Sequence, residues 1–91
     1  MPFNIEVTVK DVKGKCAFGY KVGDKIIFDG KKINGNVCFS ALMTMLPKVY
    51  AMRYCAEFPW SKNKDLIHNA CPDPENPVVF GIKRIRKQQG A

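Results

Sequence analysis

The side chains best suited to chemistry in this sequence are four cysteines, at positions 16, 38, 55 and 71. Three of them occupy segments that can meet at one end of a sheet: Cys16 in a glycine-rich stretch, Cys38 before an apolar helical pattern, and Cys71 before a proline-rich run. The first turn of a helix favours a thiolate, because its N–H groups are unpaired. Thiolates bind zinc and iron–sulfur clusters in preference to hard cations. Cys16, Cys38 and Cys71 therefore predict a zinc or iron–sulfur site.

The same thiols allow two other interpretations. No Cys-x-x-Cys pair occurs, so the strongest sequence signature of a zinc ribbon is absent. A thiol enzyme or redox protein would use Cys38 as nucleophile and Cys16 or Cys71 as resolving thiol. In a structural or interaction module, the cysteines would be inert packing residues. His68 is a candidate fourth metal ligand, although a lone histidine in a polar segment is more often solvated.

Cys55 is expected to lie apart from the other three cysteines. It follows Cys38 by seventeen residues, most of them in the apolar helical pattern. A continuous helix of that length spans about 25 Å, too far for one metal ion to bind both sulfurs. Since unpaired cysteine is among the most frequently buried residue types, we interpret Cys55 as a core residue.

The strands and the helix that position these cysteines can be predicted from the spacing of apolar residues along the chain. Alternation in "FNIEVTV" predicts a first strand, "KIIFD" a short second strand and "VVFGIKRI" a last strand. Between them, "VCFSALMTMLPKVYAMRYCAE" has apolar residues at helical spacing, interrupted by Pro47, which cannot donate a backbone hydrogen bond. We predict one α+β domain over residues 1–91, in which a small mixed or antiparallel sheet carries a Pro-kinked helix or a helical pair on one face.

The predicted core combines the alternating strand positions with one face of the helical pattern. A helix that is apolar over most of its circumference is expected to be largely buried. The predicted core residues are Ile5, Val7, Val9, Ile26, Phe28, Leu42, Leu46, Val49, Tyr50, Phe80 and either Val78 or Val79.

Composition and charge narrow the class of protein. The chain is 46% hydrophobic, which is enough for a core, and no segment is long and apolar enough to predict a membrane span. The N-terminus has a strand pattern instead of a signal peptide, so we expect a cytoplasmic protein with reduced thiols. The net charge of +7 is scattered, and no stacking aromatic interleaves with "KRIRK" at 83–87, which argues against nucleic-acid binding. An exposed sheet edge would allow homo-oligomerisation.

Three motifs resemble those of a known family. The segments "CAFGYKVGD", "VCFSAL" and "CPDPENPVVFGIKRI" are similar to motifs of small bacterial and archaeal proteins of uncharacterised function. The resemblance extends from residue 5 to residue 86. It departs at Tyr20, where the family often has histidine. The matching positions are Cys16, Lys21, Val22, Gly23, Asp24, Cys38, Pro59, Trp60, Cys71, Pro72, Asp73, Pro74, Asn76 and Pro77. The resemblance thus implicates the three cysteines that the spacing also selects, but it implies no particular activity.

Overall fold

Five strands and one helix form the regular structure of residues 3–16, 18–72 and 75–85, the parts of the chain that this computed structural model describes. In chain order they are β1 (Asn4–Val12), β2 (Lys25–Phe28), β3 (Ile33–Asn34), α1 (Phe39–Arg53), β4 (Leu66–Ala70) and β5 (Val78–Ile85). The strands pair in the order β3-β2-β1-β5-β4, and every pairing is antiparallel. With α1 packed on the sheet, this is the predicted α+β class.

The central strand β1 follows the predicted alternation. Ile5, Val7 and Val9 are buried against α1, whereas Glu6 and Thr8 point to the opposite face of the sheet. The pairing of β1 with β5 shifts by one residue between Val9 and Asp11. One face of the sheet is therefore the core and the other is open to solvent.

A single helix, α1, runs through Pro47, so the predicted helical pair is not formed. The helix buries Ala41, Met45, Val49 and Met52, which recur at intervals of three or four residues. The prediction that Leu46 and Tyr50 belong to the core is wrong, whereas Leu42 packs against the edge of the core. Leu46 and Tyr50 are 42% and 66% exposed and Leu42 is only partly buried. Both faces of the helix carry apolar residues at helical spacing, so periodicity alone could not identify the face in contact with the sheet.

The C-terminal end of α1 is closed by backbone hydrogen bonds and by one arginine. The N–H groups of Cys55 and Ala56 donate to the carbonyl oxygens of Met52 and Ala51, the pattern of a Schellman motif. Cys55 has φ of 71°, the left-handed conformation that this motif requires and that glycine usually supplies. It is exposed. Its interpretation as a core residue is therefore wrong, because the position serves the helix end.

Arg84 on β5, within the basic segment "KRIRK", is buried beneath that helix end. Its side chain is 3% exposed and lies over the Phe3 ring at 5.2 Å. Its Nε donates to the Met52 carbonyl oxygen at 3.0 Å, and Nη2 donates to that of Ala56. Nη1 lies 3.5 Å from a carboxylate oxygen of Asp65. Arg84 thus gives the Met52 carbonyl oxygen a second donor besides the Cys55 N–H, and it binds the Ala56 carbonyl oxygen just beyond the helix. The neighbouring basic residues Arg86 and Lys87 lie outside the described residues.

Candidate functional site

The loop that carries Cys16 is joined to the loop that carries Cys71 by Asn76. The Asn76 side-chain oxygen accepts a hydrogen bond from the Lys15 N–H at 2.9 Å, and the Lys13 N–H donates to the Pro77 carbonyl oxygen at 2.9 Å. Gly14 has φ of 77°, and a Cβ there would collide with the Asn76 side chain. The end of β1 and the start of β5 are thereby held together at one end of the sheet. Asp73 and Pro74 of this motif lie outside the described residues.

Tyr20 connects the start of α1 to the same end of the sheet. Its hydroxyl accepts a hydrogen bond from the Cys38 N–H at 2.8 Å and donates to the Asn36 carbonyl oxygen at 3.1 Å. Its ring packs edge-on against Phe80, with 5.3 Å between centroids. Burial raises the pKa of the Tyr20 phenol above its ordinary value of 10.0, and the hydrogen bond from Cys38 opposes that effect. The phenol is therefore neutral at physiological pH and fixes the first turn of the helix.

The three thiols are half-buried against the core. The Cys71 sulfur accepts a hydrogen bond from the Val78 N–H at 3.2 Å, while the Cys38 side chain makes no capping hydrogen bond to the helix. Within residues 3–16, 18–72 and 75–85, no three His, Cys, Asp or Glu side chains are grouped closely enough to hold a metal ion. The hydrogen bonds made by Asn76 and Tyr20 nevertheless place the three thiol-bearing segments at one end of the sheet. Coordination of a metal by their sulfurs stays a prediction.

His68 and Cys55 lie away from this end of the core. His68 is on β4 and exposed, between Ile67 and Asn69, whose side chains are buried on the helix side of the sheet. Successive strand residues point to opposite faces, so the imidazole faces the open side. Cys55 lies at the far end of α1 from Cys38, about 25 Å along the helix axis.

The feature that sequence reasoning missed is an exposed apolar stripe along α1. Five large side chains share it, with exposed fractions from 42% to 79%, and we call this the outer face of α1. It comprises Phe39, Met43, Leu46, Tyr50 and Tyr54. An open groove of about 500 Å³ runs beside it. The signal was present in the sequence, because one helix on one sheet can bury only one of its sides, and this helix is apolar on two.

The charged residues of α1 are held against the body of the protein and leave the outer face uncharged. The Lys48 ammonium donates to the Asn69 side-chain oxygen at 2.7 Å. The Arg53 guanidinium donates to the Phe3 carbonyl oxygen at 3.0 Å. Lys48 and Arg53 are the charged residues of the helix, which has no carboxylate. None of the five side chains of the stripe is therefore charged, and positive charge approaches it only at its C-terminal end.

Comparison with known proteins identifies no relative of this chain. No family model, no curated protein and no solved structure matches the chain. The resemblance drawn from the cysteine motifs therefore stays a prediction. No helix in the described ranges combines the length and apolarity needed to cross a bilayer.

Proposed function

We propose that this protein is an interaction module that binds an acidic, amphipathic segment of another polypeptide along the outer face of α1. The observation that carries the proposal is the exposure of Phe39, Met43, Leu46, Tyr50 and Tyr54 on one helix side. At about 200 Å² for each fully exposed side chain, these fractions amount to roughly 600 Å² of apolar surface. That is at the upper end of the largest patch on a typical monomer, about 300–600 Å², and such patches commonly mark interaction sites.

The size of this surface indicates a reversible complex. A stable interface buries about 800 Å² on each partner, so the outer face of α1 is at the lower end of the range. The surface is also narrow, because it follows one helix of fifteen residues. A single helical segment laid against α1 would cover it, with its anchors at i, i+3, i+4 and i+7. We therefore expect micromolar affinity.

Charge favours a foreign, acidic segment over a second copy of this chain. The protein carries a net charge of +7, and Lys31 and Lys32 lie beside the C-terminal half of the helix. An antiparallel pair of copies would place these lysines against the other copy's helix start, which has no acidic residue and is the positive end of the helix dipole. A parallel pair would bring the two lysine groups together. Both arrangements are repulsive.

One of the two edges of the sheet, strand β4, is partly approached by local polar groups, and the predicted homo-oligomer through a sheet edge stays a prediction. In β4, every second residue is hydrogen-bonded to β5. The residues between them direct their N–H and C=O groups outward, away from the sheet. The outward carbonyl oxygen of Leu66 accepts from the Ser61 hydroxyl at 3.1 Å, and that of Ala70 lies 3.4 Å from the Thr44 hydroxyl. The Leu66 N–H donates to the Asn63 carbonyl oxygen. Each of these hydroxyls also has a shorter acceptor, the Asn63 carbonyl oxygen at 2.8 Å for Ser61 and the Ala41 carbonyl oxygen at 2.9 Å for Thr44, so local groups cover only part of the β4 edge.

The test is binding of a synthetic amphipathic helical peptide with leucines along one side and glutamines elsewhere, followed by fluorescence anisotropy. We expect micromolar binding to the wild-type protein and at least tenfold weaker binding to Met43→Glu. Val22→Glu is the matched control, because Val22 is 65% exposed and Met43 is 68% exposed, and the charge change is the same. Equal binding to Met43→Glu and wild type would overturn the proposal. A wild-type dimer in sedimentation that Met43→Glu dissociates would overturn the choice of a foreign partner.

A second candidate function is a zinc or iron–sulfur centre held by Cys16, Cys38 and Cys71. The hydrogen bonds from Lys15 to Asn76 and from Cys38 to Tyr20, which fix segments carrying these thiols, support it. Sulfurs that bind one zinc ion lie about 4 Å apart, given Zn–S bonds near 2.3 Å. Anaerobic purification followed by zinc and iron analysis tests the idea. Metal that is retained in Cys55→Ser and lost in Cys38→Ser would support it, whereas metal-free wild-type protein would contradict it.

A further inference from the structure

A cationic cleft continues the outer face of α1 at its C-terminal end. Leu46 and Tyr50 line both the apolar groove and this cleft, so the two form one continuous surface. The cleft lies between the helix and the turn that joins β2 to β3, and its volume is about 210 Å³. Its floor is apolar, with Phe28 and Val49, whereas Lys31, Lys32 and Arg53 supply positive charge. The described residues that line it include no carboxylate.

Arg53 is held in place by the turn. The Arg53 guanidinium packs directly against Gly30, which has φ of 93°, and any Cβ at that position would collide with the guanidinium nitrogens. Its carbon lies 5.5 Å from the centre of the Tyr54 ring. A guanidinium has five N–H donors. Among the described residues, the Arg53 guanidinium donates to one acceptor, the Phe3 carbonyl oxygen. Arg53 therefore keeps donors for an anion.

The two lysines are presented by a turn whose own carboxylate is already engaged. Asp29 accepts hydrogen bonds from the N–H groups of Lys31 and Lys32, each at 2.9 Å, and from the Asn34 side chain. These bonds orient the Asp29 carboxylate towards the backbone of the turn. Neither lysine ammonium nor the Arg53 guanidinium lies within ion-pair distance of a carboxylate in the described ranges. Among the described residues, the three cations of the cleft thus form no ion pair with a carboxylate.

We infer that this cleft is a carboxylate-binding subsite for the acidic end of the partner segment. The inference rests on the proposed function, and it names where that partner's charge is recognised. A volume of about 210 Å³ is smaller than the 300–1,000 Å³ typical of cofactor and drug-sized ligands, but it accommodates one or two side chains. Guanidinium and ammonium groups above an apolar floor match a carboxylate on an aliphatic stem.

The direction of the partner segment follows from helix electrostatics. Glutamate and aspartate are favourable in the first turn of a helix, near the positive end of its dipole. A partner helix antiparallel to α1 places its first turn over the cleft, beside Lys31, Lys32 and Arg53. Its apolar residues then lie on the uncharged stretch from Phe39 to Leu46. One segment therefore satisfies both halves of the surface.

The test compares three leucine-faced helical peptides that differ only in the first turn, which contains three Glu, three Gln or three Lys. At low salt we expect the Glu peptide to bind about tenfold more tightly than the Gln peptide, since each exposed ion pair contributes modestly. The difference should shrink in 0.5 M salt, where screening is strong. It should shrink severalfold in the double variant Lys31→Gln/Lys32→Gln, in which Arg53 is the one cation of the three that remains. The matched control is Lys62→Gln/Lys64→Gln, which removes two exposed lysines from the loop before β4.

The outcomes separate this inference from the proposed function. If the Glu and Gln peptides bind equally, or if the control double variant loses as much as Lys31→Gln/Lys32→Gln, the carboxylate subsite is wrong while the apolar docking surface stands. If none of the three peptides binds, both are wrong. Preference for the Glu peptide that depends on Lys31 and Lys32 supports both.

Discussion

Two methionines on α1 provide a direct test of which helix face belongs to the core. Met45 is fully buried, whereas Met43, on the same helix, is 68% exposed. The perturbation is the same in both cases, substitution by alanine. Because the side chain removed is identical and the gain in helix propensity is similar at the two positions, any difference in stability reflects burial.

The magnitudes follow from the two environments. Replacing a buried methionine by alanine costs about 2–5 kcal/mol, through lost transfer free energy and the cavity left behind. We expect Met45→Ala to lower the free energy of unfolding by about 3 kcal/mol, a large fraction of the 5–15 kcal/mol typical of a domain. Met43→Ala should change it by no more than about 0.5 kcal/mol, as surface substitutions commonly do.

Urea unfolding followed by circular dichroism, in reducing buffer at neutral pH, measures both values. The slope of the free energy of unfolding against urea concentration should be the same for both variants, because the surface area exposed on unfolding barely changes. Equal losses would show that Met43 is covered in solution. A larger loss for Met43→Ala than for Met45→Ala would show that the helix face has been assigned wrongly. In peptide binding the order should reverse, with Met43→Ala the weaker binder.

Three further substitutions or titrations test other parts of the structure. Cys55→Gly should stabilise the protein by about 0.5–1 kcal/mol, because glycine adopts the left-handed conformation without strain; unfolding curves measure this, and Cys55→Ala, which should show no such gain, is the control. Arg84→Lys should cost about 2–3 kcal/mol, since one ammonium cannot replace the guanidinium fork under the helix end; a similar loss in the exposed control Lys83→Gln would contradict this. Hydrogen bonds from the N–H groups of Lys32 and Lys31 lower the pKa of Asp29 below its ordinary value of 3.8. The stabilisation that Asp29 gives its turn is thus present above the unfolded pKa and lost as the pH falls through the folded one. Amide chemical shifts of the turn should follow this transition, and Asp29→Asn should abolish it.

The sequence by itself determined three of the five strands, β1, β2 and β5, and the class of fold, whereas it did not identify β3 and β4 as strands. In β1 the strict alternation of Ile5, Val7 and Val9 with polar residues allows only one face to be buried, so both the strand and its orientation were predictable. The same holds for the burial of Ile26, Phe28 and Phe80. The helical region was also correctly located, because its apolar spacing extends over many residues. These features depend on neighbours in sequence, which periodicity describes.

Only the tertiary structure decided which face of α1 is buried, what Cys55 and Arg84 do, and which loops meet. Hydrophobic burial is not directional, so a helix with two apolar sides has no preferred face until a sheet covers one of them. Arg84 is 28 residues from Ala56, and Asn76 is 61 residues from Lys15, yet each pair is hydrogen-bonded. Such contacts arise from the packing of distant segments, and no local pattern encodes them. The outer face of α1 is a consequence of the same packing: this chain has one sheet face to cover the helix, and the side turned away from the sheet stays exposed.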